Sequence, residues 1–175
     1  MGDPKVTGLR SVEFQVPDLK LATKFYEENW GLEVAAADRD AVYLRGTGTA
    51  HHALVLREGG EKKLIAVNLA ADNKIAVDGL YGRAKGLGAS VEAPEELGGP
   101  AGGYGFVFHD LHGRDYQISS DITEHAEKPA AKDRPVKISH VVLNSPDREA
   151  QSSQFIDLLG FKLSDRTGYM DFIRC

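Results

Sequence analysis

The sequence predicts an α+β protein in which one strand–helix–strand–strand–strand order is laid down twice and then begun a third time. Three observations lead there. Short apolar runs with partial alternation suit half-buried strands, two longer segments carry helical spacing, and residues 9–46 resemble residues 138–175 position by position. The 175 residues are 42% hydrophobic and 27% charged, which is enough apolar material for a packed core and excludes a disordered tail. One cysteine cannot make a disulfide framework within the chain. A formal net charge of -5 gives no general electrostatic ground for nucleic-acid binding. No apolar run reaches the ~18 residues of a membrane-spanning helix and no long apolar signal region follows the N-terminus. The chain therefore reads as a soluble cytoplasmic protein with no membrane partner.

Leu9 to Val16 forms the first expected strand, ended by Pro17-Asp18. Residues 19–30 follow as an amphipathic helix. Asp18 is its expected N-cap, Gly31 closes it, and Leu21, Phe25 and Trp30 form an apolar stripe widened by Ala22 and Tyr26. Short strands are expected at 32–36, 41–45 and 51–57, separated by the Asp38-Arg39-Asp40 and Gly46-Thr47-Gly48-Thr49 turns. The same order then recurs: a strand at 64–69, a helix at 74–85 stopped at the glycines 86 and 88, and strands at 89–92, 104–109 and 114–119. The segment Gly98-Gly99-Pro100-Ala101-Gly102-Gly103 lacks the spacing of a phosphate loop and precedes no helix, so it reads as a flexible loop over a cavity.

Residues 121–135 are rich in charge and alanine and contain two prolines, the composition of a linker. A gapless shift of 129 positions then places Val12 on Val141, Pro17 on Pro146, Asp18 on Asp147, Gly31 on Gly160 and Arg45 on Arg174. Three regions result: a domain of two units over 1–120, a linker over 121–135, and the incomplete start of a second domain over 136–175. The last region, with an expected strand at 136–143, is too small for a robust core, and its final strand would leave an unpaired edge. Docking on the first domain, exchange with a second copy, or membership of a longer polypeptide would each cover it. The second makes homo-oligomerisation through 136–175 an expectation.

Six histidines are the first candidates for metal or acid–base chemistry. His140 sits in the middle of the 136–143 run, where alternation places Ile138, His140 and Val142 on one face; it is either a hydrogen-bonded structural residue or the first ligand of a site inside the sheet. The repeat aligns it with Ser11, a poor metal ligand. His51 and His52 head a strand, so alternation sends their rings to opposite sides, in either a packing or an acid–base role. His109 and His112 flank Asp110 at a tight connection, a cluster that suits either a surface metal or turn hydrogen bonding, the latter favoured because no zinc-type spacing surrounds them. His125 falls in the linker and is expected in solvent. Gln117 faces inward with a neutral amide, and Glu13 suits a salt bridge. Nothing near Cys175 supplies a base that would activate it.

The runs Leu9 to Asp18, Phe25-Tyr26 to Gly31-Leu32, Tyr43-Leu44-Arg45, His51-His52-Ala53-Leu54, Asp110-Leu111-His112-Gly113-Arg114 and Ile138 to Leu143 resemble, in order and spacing, the vicinal oxygen chelate superfamily. The closer resemblance is to two-domain type I extradiol catechol dioxygenases related to biphenyl-2,3-diol 1,2-dioxygenase. That resemblance covers nearly all of this chain and a little over half of such an enzyme. It implies paired βαβββ units forming a curved mixed sheet around a cavity, followed here by a partial third unit. It also implies a site of two histidines and one glutamate holding Fe(II), or less often Mn(II), in the second domain, with a catechol-type small molecule as substrate. Carried over by position, His140 matches the first metal ligand, while the remaining ligands have no counterpart in this chain. In the first domain the ligand positions fall on Ser11, approximately Leu64, and Gln117, none of them competent, and His52 matches the acid–base histidine. The resemblance thus implies a degenerate first domain, no metal held by this chain alone, and ring cleavage only in a longer form. Two alternatives stand beside it: a short non-enzymatic binding or resistance protein, and a metal site completed across an oligomer.

Overall fold

The computed structural model describes residues 3–129 and 131–175; Ala130, within the expected linker, lies outside them. The first unit comprises β1 (Gly8–Val16), α1 (Leu19–Trp30), β2 (Glu33–Ala37), β3 (Ala41–Arg45) and β4 (Leu54–Glu58). The second comprises β5 (Lys63–Ala70), α2 (Lys74–Gly86), the two-residue strands β6 (Ser90–Val91) and β7 (Glu95–Glu96), β8 (Tyr104–His109) and β9 (Asp115–Ser120). After a stretch without helix or strand come α3 (Arg148–Leu159), β10 (Lys162–Arg166) and β11 (Asp171–Arg174). Sequence pattern alone missed β7 and started β4 three residues early.

The two units share one curved, unclosed mixed sheet in the order β2-β3-β4-β1-β5-β9-β8-β6, with β7 also on β8. β1 and β5 lie antiparallel at its centre, each with a parallel partner on its outer edge, β4 and β9. This is the α+β arrangement of paired βαβββ units that the sequence predicts. One face carries the helices and the main core, in which Val12 faces Val67 across the central pair and Leu80, Phe106, Phe108, Tyr116 and Ile118 are buried. The other face is concave and carries the candidate site. Among the described residues no helix is long and apolar enough to cross a membrane.

Helix ends follow their local signals. Asp18, Asn73 and Asp147 accept from the backbone N–H of Leu21, Ala76 and Ala150 at 2.8, 3.0 and 3.0 Å. Gly31 and Gly160 close α1 and α3 in the left-handed region at φ 63° and 75°. The face of α1 differs from expectation. Leu21, Phe25 and Trp30 are 66%, 49% and 56% exposed, while Leu19, Ala22 and Tyr26 lean on the core. Two apolar stripes compete on this helix, and the one at i, i+3, i+7 meets the sheet.

The expected strand over 136–143 does not form. β1, its counterpart, is a strand because β4 and β5 offer hydrogen-bonding edges on both sides; no described residue offers the 136–143 segment such an edge. Ile138 and Leu143 touch the core, but His140 and Val142 are exposed, so the anticipated shared face of Ile138, His140 and Val142 is not realised. β10 and β11 pair only with each other.

α3 is nevertheless firmly docked. Phe155, Leu158 and Leu159 are buried in the main core, and the Phe155 ring meets Tyr116, Phe161 and Phe108 edge-on at 5.0, 5.5 and 6.1 Å between centroids. Each such apolar side chain contributes roughly 2 kcal/mol on burial. Val6 N–H donates to Leu159 C=O at 2.9 Å. The turn between β8 and β9 ties down the preceding segment: Arg114 donates to Asn144 C=O at 2.8 Å and to Gln151 Oε1 at 3.1 Å. Asp110 holds that arginine from a buried position, accepting from Arg114 N–H and Nε at 2.9 and 2.7 Å and from His112 N–H at 2.8 Å. Burial alone would raise the Asp110 pKa, yet these donors outweigh it and leave the pKa below its ordinary value.

Candidate functional site

The concave face encloses a cavity of about 140 Å³ between β1, β5, β9 and the 97–102 loop. Its floor follows from strand register. Ser11 on β1 faces Asn68 on β5, and Asn68 in turn faces Gln117 on β9, so three polar side chains stand in a row across the sheet. Asn68 Nδ2 donates to Ser11 Oγ at 2.8 Å, and both residues are buried. Leu64, the expected middle position, is not on the cavity wall: a register shift between Glu13 and Phe14 pairs it with Phe14, and it packs against the main core. Asn68 takes that place. It is the single polar residue in the run Leu64 to Leu69, a signal the sequence did carry.

A second register shift makes Arg10 the extra residue of β1, between the pairs Leu9–Leu69 and Ser11–Asn68. The bulge lets Arg10 and Ser11 line the cavity together, where simple alternation would have put them on opposite faces. Glu13 also lines it, and forms the expected salt bridge, with Arg57. Tyr43, Val55 and Ile122 complete much of the wall, and Gly98, Pro100 and Gly102 bring the glycine-rich loop over it, as its composition suggests. Gly103, at φ 106°, has no room for a side chain: a Cβ there would lie 2.4 Å from Ile122 Cδ1.

The histidines group differently from the sequence reading. His51 and His52 precede β4 and are not in it, and the two rings meet, Nδ1 to Nδ1 at 3.0 Å. Because no strand pleat separates them, they do not point to opposite sides. His125 is not in solvent: it stacks on His51 at 4.9 Å between centroids, its Nε2 is buried, and its backbone N–H donates to Thr49 C=O at 2.8 Å. The expected linker is thereby laid against the loop between β3 and β4, with Thr47 and Gly48 N–H donating to Pro135 and Val136 C=O at 3.0 Å each. His52 lines the cavity and its pKa is pushed down to about 4, mainly by burial and further by the neighbouring His51 and Arg10. It is therefore neutral near pH 7. Burial likewise pushes His51 down. His109 bonds Asp115 at 2.8 Å within its own hairpin, whereas the His112 ring bonds Ser145 at 2.8 Å, a contact from the turn to the segment that precedes α3.

His140 stands away from the cavity, exposed, with its Nδ1 3.0 Å from Ser139 Oγ. Among the described residues no group of three or more His, Cys, Asp or Glu side chains could hold a metal ion. The row Ser11, Asn68, Gln117 offers neutral oxygens and amides, and the nearby carboxylate of Glu13 is engaged by Arg57. That donor set does not fit Fe(II) or Mn(II), which call for imidazole and carboxylate ligands.

No family model matches the sequence, and no curated protein matches it. Solved structures do. The chain is similar to the Mn(II)-bound glyoxalase from Novosphingobium aromaticivorans, with 37% identity and a TM-score of 0.93, covering 98% of this chain and 58% of that one. It shares the fold of a variant of homoprotocatechuate 2,3-dioxygenase from B. fuscum in complex with HPCA, at 22% identity and a TM-score of 0.85, covering 99% of this chain and 51% of that one. The same enzyme from Arthrobacter globiformis gives 24% identity and a TM-score of 0.81, covering 93% of this chain and 52% of that one. The chain thus spans between half and three-fifths of the length of these proteins.

Proposed function

We propose that this chain, homologous to the glyoxalase-like and extradiol-dioxygenase proteins of the vicinal oxygen chelate superfamily, forms the non-chelating first domain and the opening of the second domain of a two-domain metalloenzyme. Residues 1–120 make the first domain, 121–135 the connection and 136–175 the beginning of the second, where His140 is the first ligand for Fe(II) or Mn(II). The reaction is extradiol cleavage of a catechol-type aromatic diol, with the other ligands supplied by polypeptide beyond Cys175. The observation that carries this reading is the contrast between two corresponding positions. Ser11 is buried and bonded to Asn68 in a row of neutral side chains, whereas His140 is exposed on a segment that lacks the strand partners its counterpart has.

The test compares residues 1–175 with the complete reading frame that contains them, both purified without oxygen and analysed for metal, then assayed for the coloured ring-fission product of catechols. The longer protein is expected to hold about one iron or manganese per chain and to lose it on His140→Ala; residues 1–175 are expected to hold none. A reading frame ending at Cys175, or metal retained by His140→Ala, would overturn the proposal. The identity to the Mn(II)-bound glyoxalase favours a second reading, in which the same two-domain protein is a glyoxalase. Glyoxalase turnover without ring cleavage would select it.

A further inference from the structure

We propose that the cavity of the first domain is a binding site for a small carboxylate, separate from any metal chemistry. Its donors are in surplus. Arg10, placed there by the bulge in β1, uses Nη2 on Ser119 C=O at 3.1 Å, while its Nε is buried without a partner. Among the described residues it forms no ion pair. Glu124 acts on it only through space, and Glu13, on the same wall, is engaged by Arg57. Ser119, also on the wall and 1% exposed, has a hydroxyl with no partner. Ser11 Oγ accepts from Asn68, leaving its own hydrogen uncommitted. A half-buried guanidinium and two buried hydroxyls, none with a protein acceptor for these hydrogens, are donors that one anion in the cavity would engage together.

Size and lining narrow the class. About 140 Å³ is the space of four or five waters, at ~30 Å³ each, or of an organic anion of about half a dozen non-hydrogen atoms. Val55, Ala101 and Ile122 add apolar surface to the cavity that a hydrated inorganic anion would not use and a short carbon chain would. His52, neutral near pH 7, adds no competing charge. A bulge beside a cavity is also a recurrent way to aim one side chain at a ligand.

The probe is propionate, titrated into the ¹⁵N-labelled chain, with propionamide, benzoate, chloride and phosphate at matched ionic strength. Saturable shifts are expected at the amides of Ser11, Asn68, Gln117 and Ser119 with propionate. Propionamide, which lacks the charge, and benzoate, which exceeds the space, should leave them unmoved. Arg10→Gln should weaken propionate at least about tenfold. Ser119→Ala, which removes one hydroxyl and nothing from the cavity wall's shape, should weaken it several-fold and serves in place of Arg10→Gln should that variant not fold. Equal binding of propionamide, unchanged binding in the folded variants, or chloride and phosphate binding as tightly as propionate would overturn the assignment. Because the measurement uses metal-free protein and no turnover, its result does not depend on the two-domain metalloenzyme reading.

Discussion

Residues 8–45 and 137–174 are the same sequence pattern placed in two different settings. Both have an Asp N-cap, a twelve-residue helix, a left-handed glycine at its end and a two-stranded hairpin. In the first setting the leading segment is the central strand of a nine-stranded sheet and the hairpin continues into β4. In the second, the leading segment has no strand pairing and the hairpin stands alone. The helices reverse the contrast: α1 has no fully buried residue, whereas α3 buries Ser152, Phe155, Leu158 and Leu159. Caps and helices are made by neighbours a few residues away and survive the change of setting. A strand is made by its partners and does not.

The largest expected effect follows from that difference. Amide hydrogens of Leu9 to Val16 should exchange at least about 1000-fold more slowly than those of Ile138 to Leu143, because the former are bonded on both sides within the core sheet. Hydrogen-exchange mass spectrometry reads this directly. Comparable protection of the two segments would mean that 136–143 finds a strand partner in solution, such as a second copy, and the contrast would collapse. Next in size is a pair of equivalent substitutions. Phe155→Ala opens a hole in the aromatic cluster with Tyr116, Phe108 and Phe161 and should cost about 3 kcal/mol in urea unfolding. Tyr26→Ala, at the corresponding position of the half-buried α1, should cost about 1 kcal/mol. Equal losses would show that the two helices are equally integrated.

The same distinction explains what the sequence disclosed. The cap at Asp18 and the closing Gly31 are legible because each is a local signal, and the repeat carries both forward to Asp147 and Gly160. Ser11 is legible through the repeat that aligns it with His140, Gln117 through alternation in β9, and His52 through the family resemblance, and the structure has all three on the cavity wall. Arg10 is not legible, since a bulge breaks alternation without leaving a mark in residue type. Leu64 is only an approximate position carried over by resemblance, and the register shift between Glu13 and Phe14 pairs it with Phe14 and leaves Asn68 opposite Ser11. The face of α1 was ambiguous in principle, because Leu21-Phe25 and Leu19-Ala22-Tyr26 both have helical spacing and only the position of the sheet decides between them. His125 joined His51 through a linker contact far apart in sequence, which no periodicity encodes.

That contact supplies the smallest effect, at the joint between the two regions. His51, His52 and His125 gather where the segment after β9 crosses the loop between β3 and β4, and His52 is held neutral down to about pH 4 in the folded chain. In the unfolded chain an ordinary histidine takes its proton near pH 6.5. Between those values the unfolded state binds the extra proton, so this contribution to stability is complete above about pH 6.5 and is lost as pH falls toward 4, with a slope of at most about 1.4 kcal/mol per pH unit for one proton. Burial lowers His51 in the same direction. Unfolding midpoints measured from pH 7 to pH 4 should therefore fall more steeply for the native sequence than for His52→Gln, which removes the titrating ring but keeps a polar side chain. Parallel curves for the two proteins would show that the histidine cluster does not couple the joint to pH.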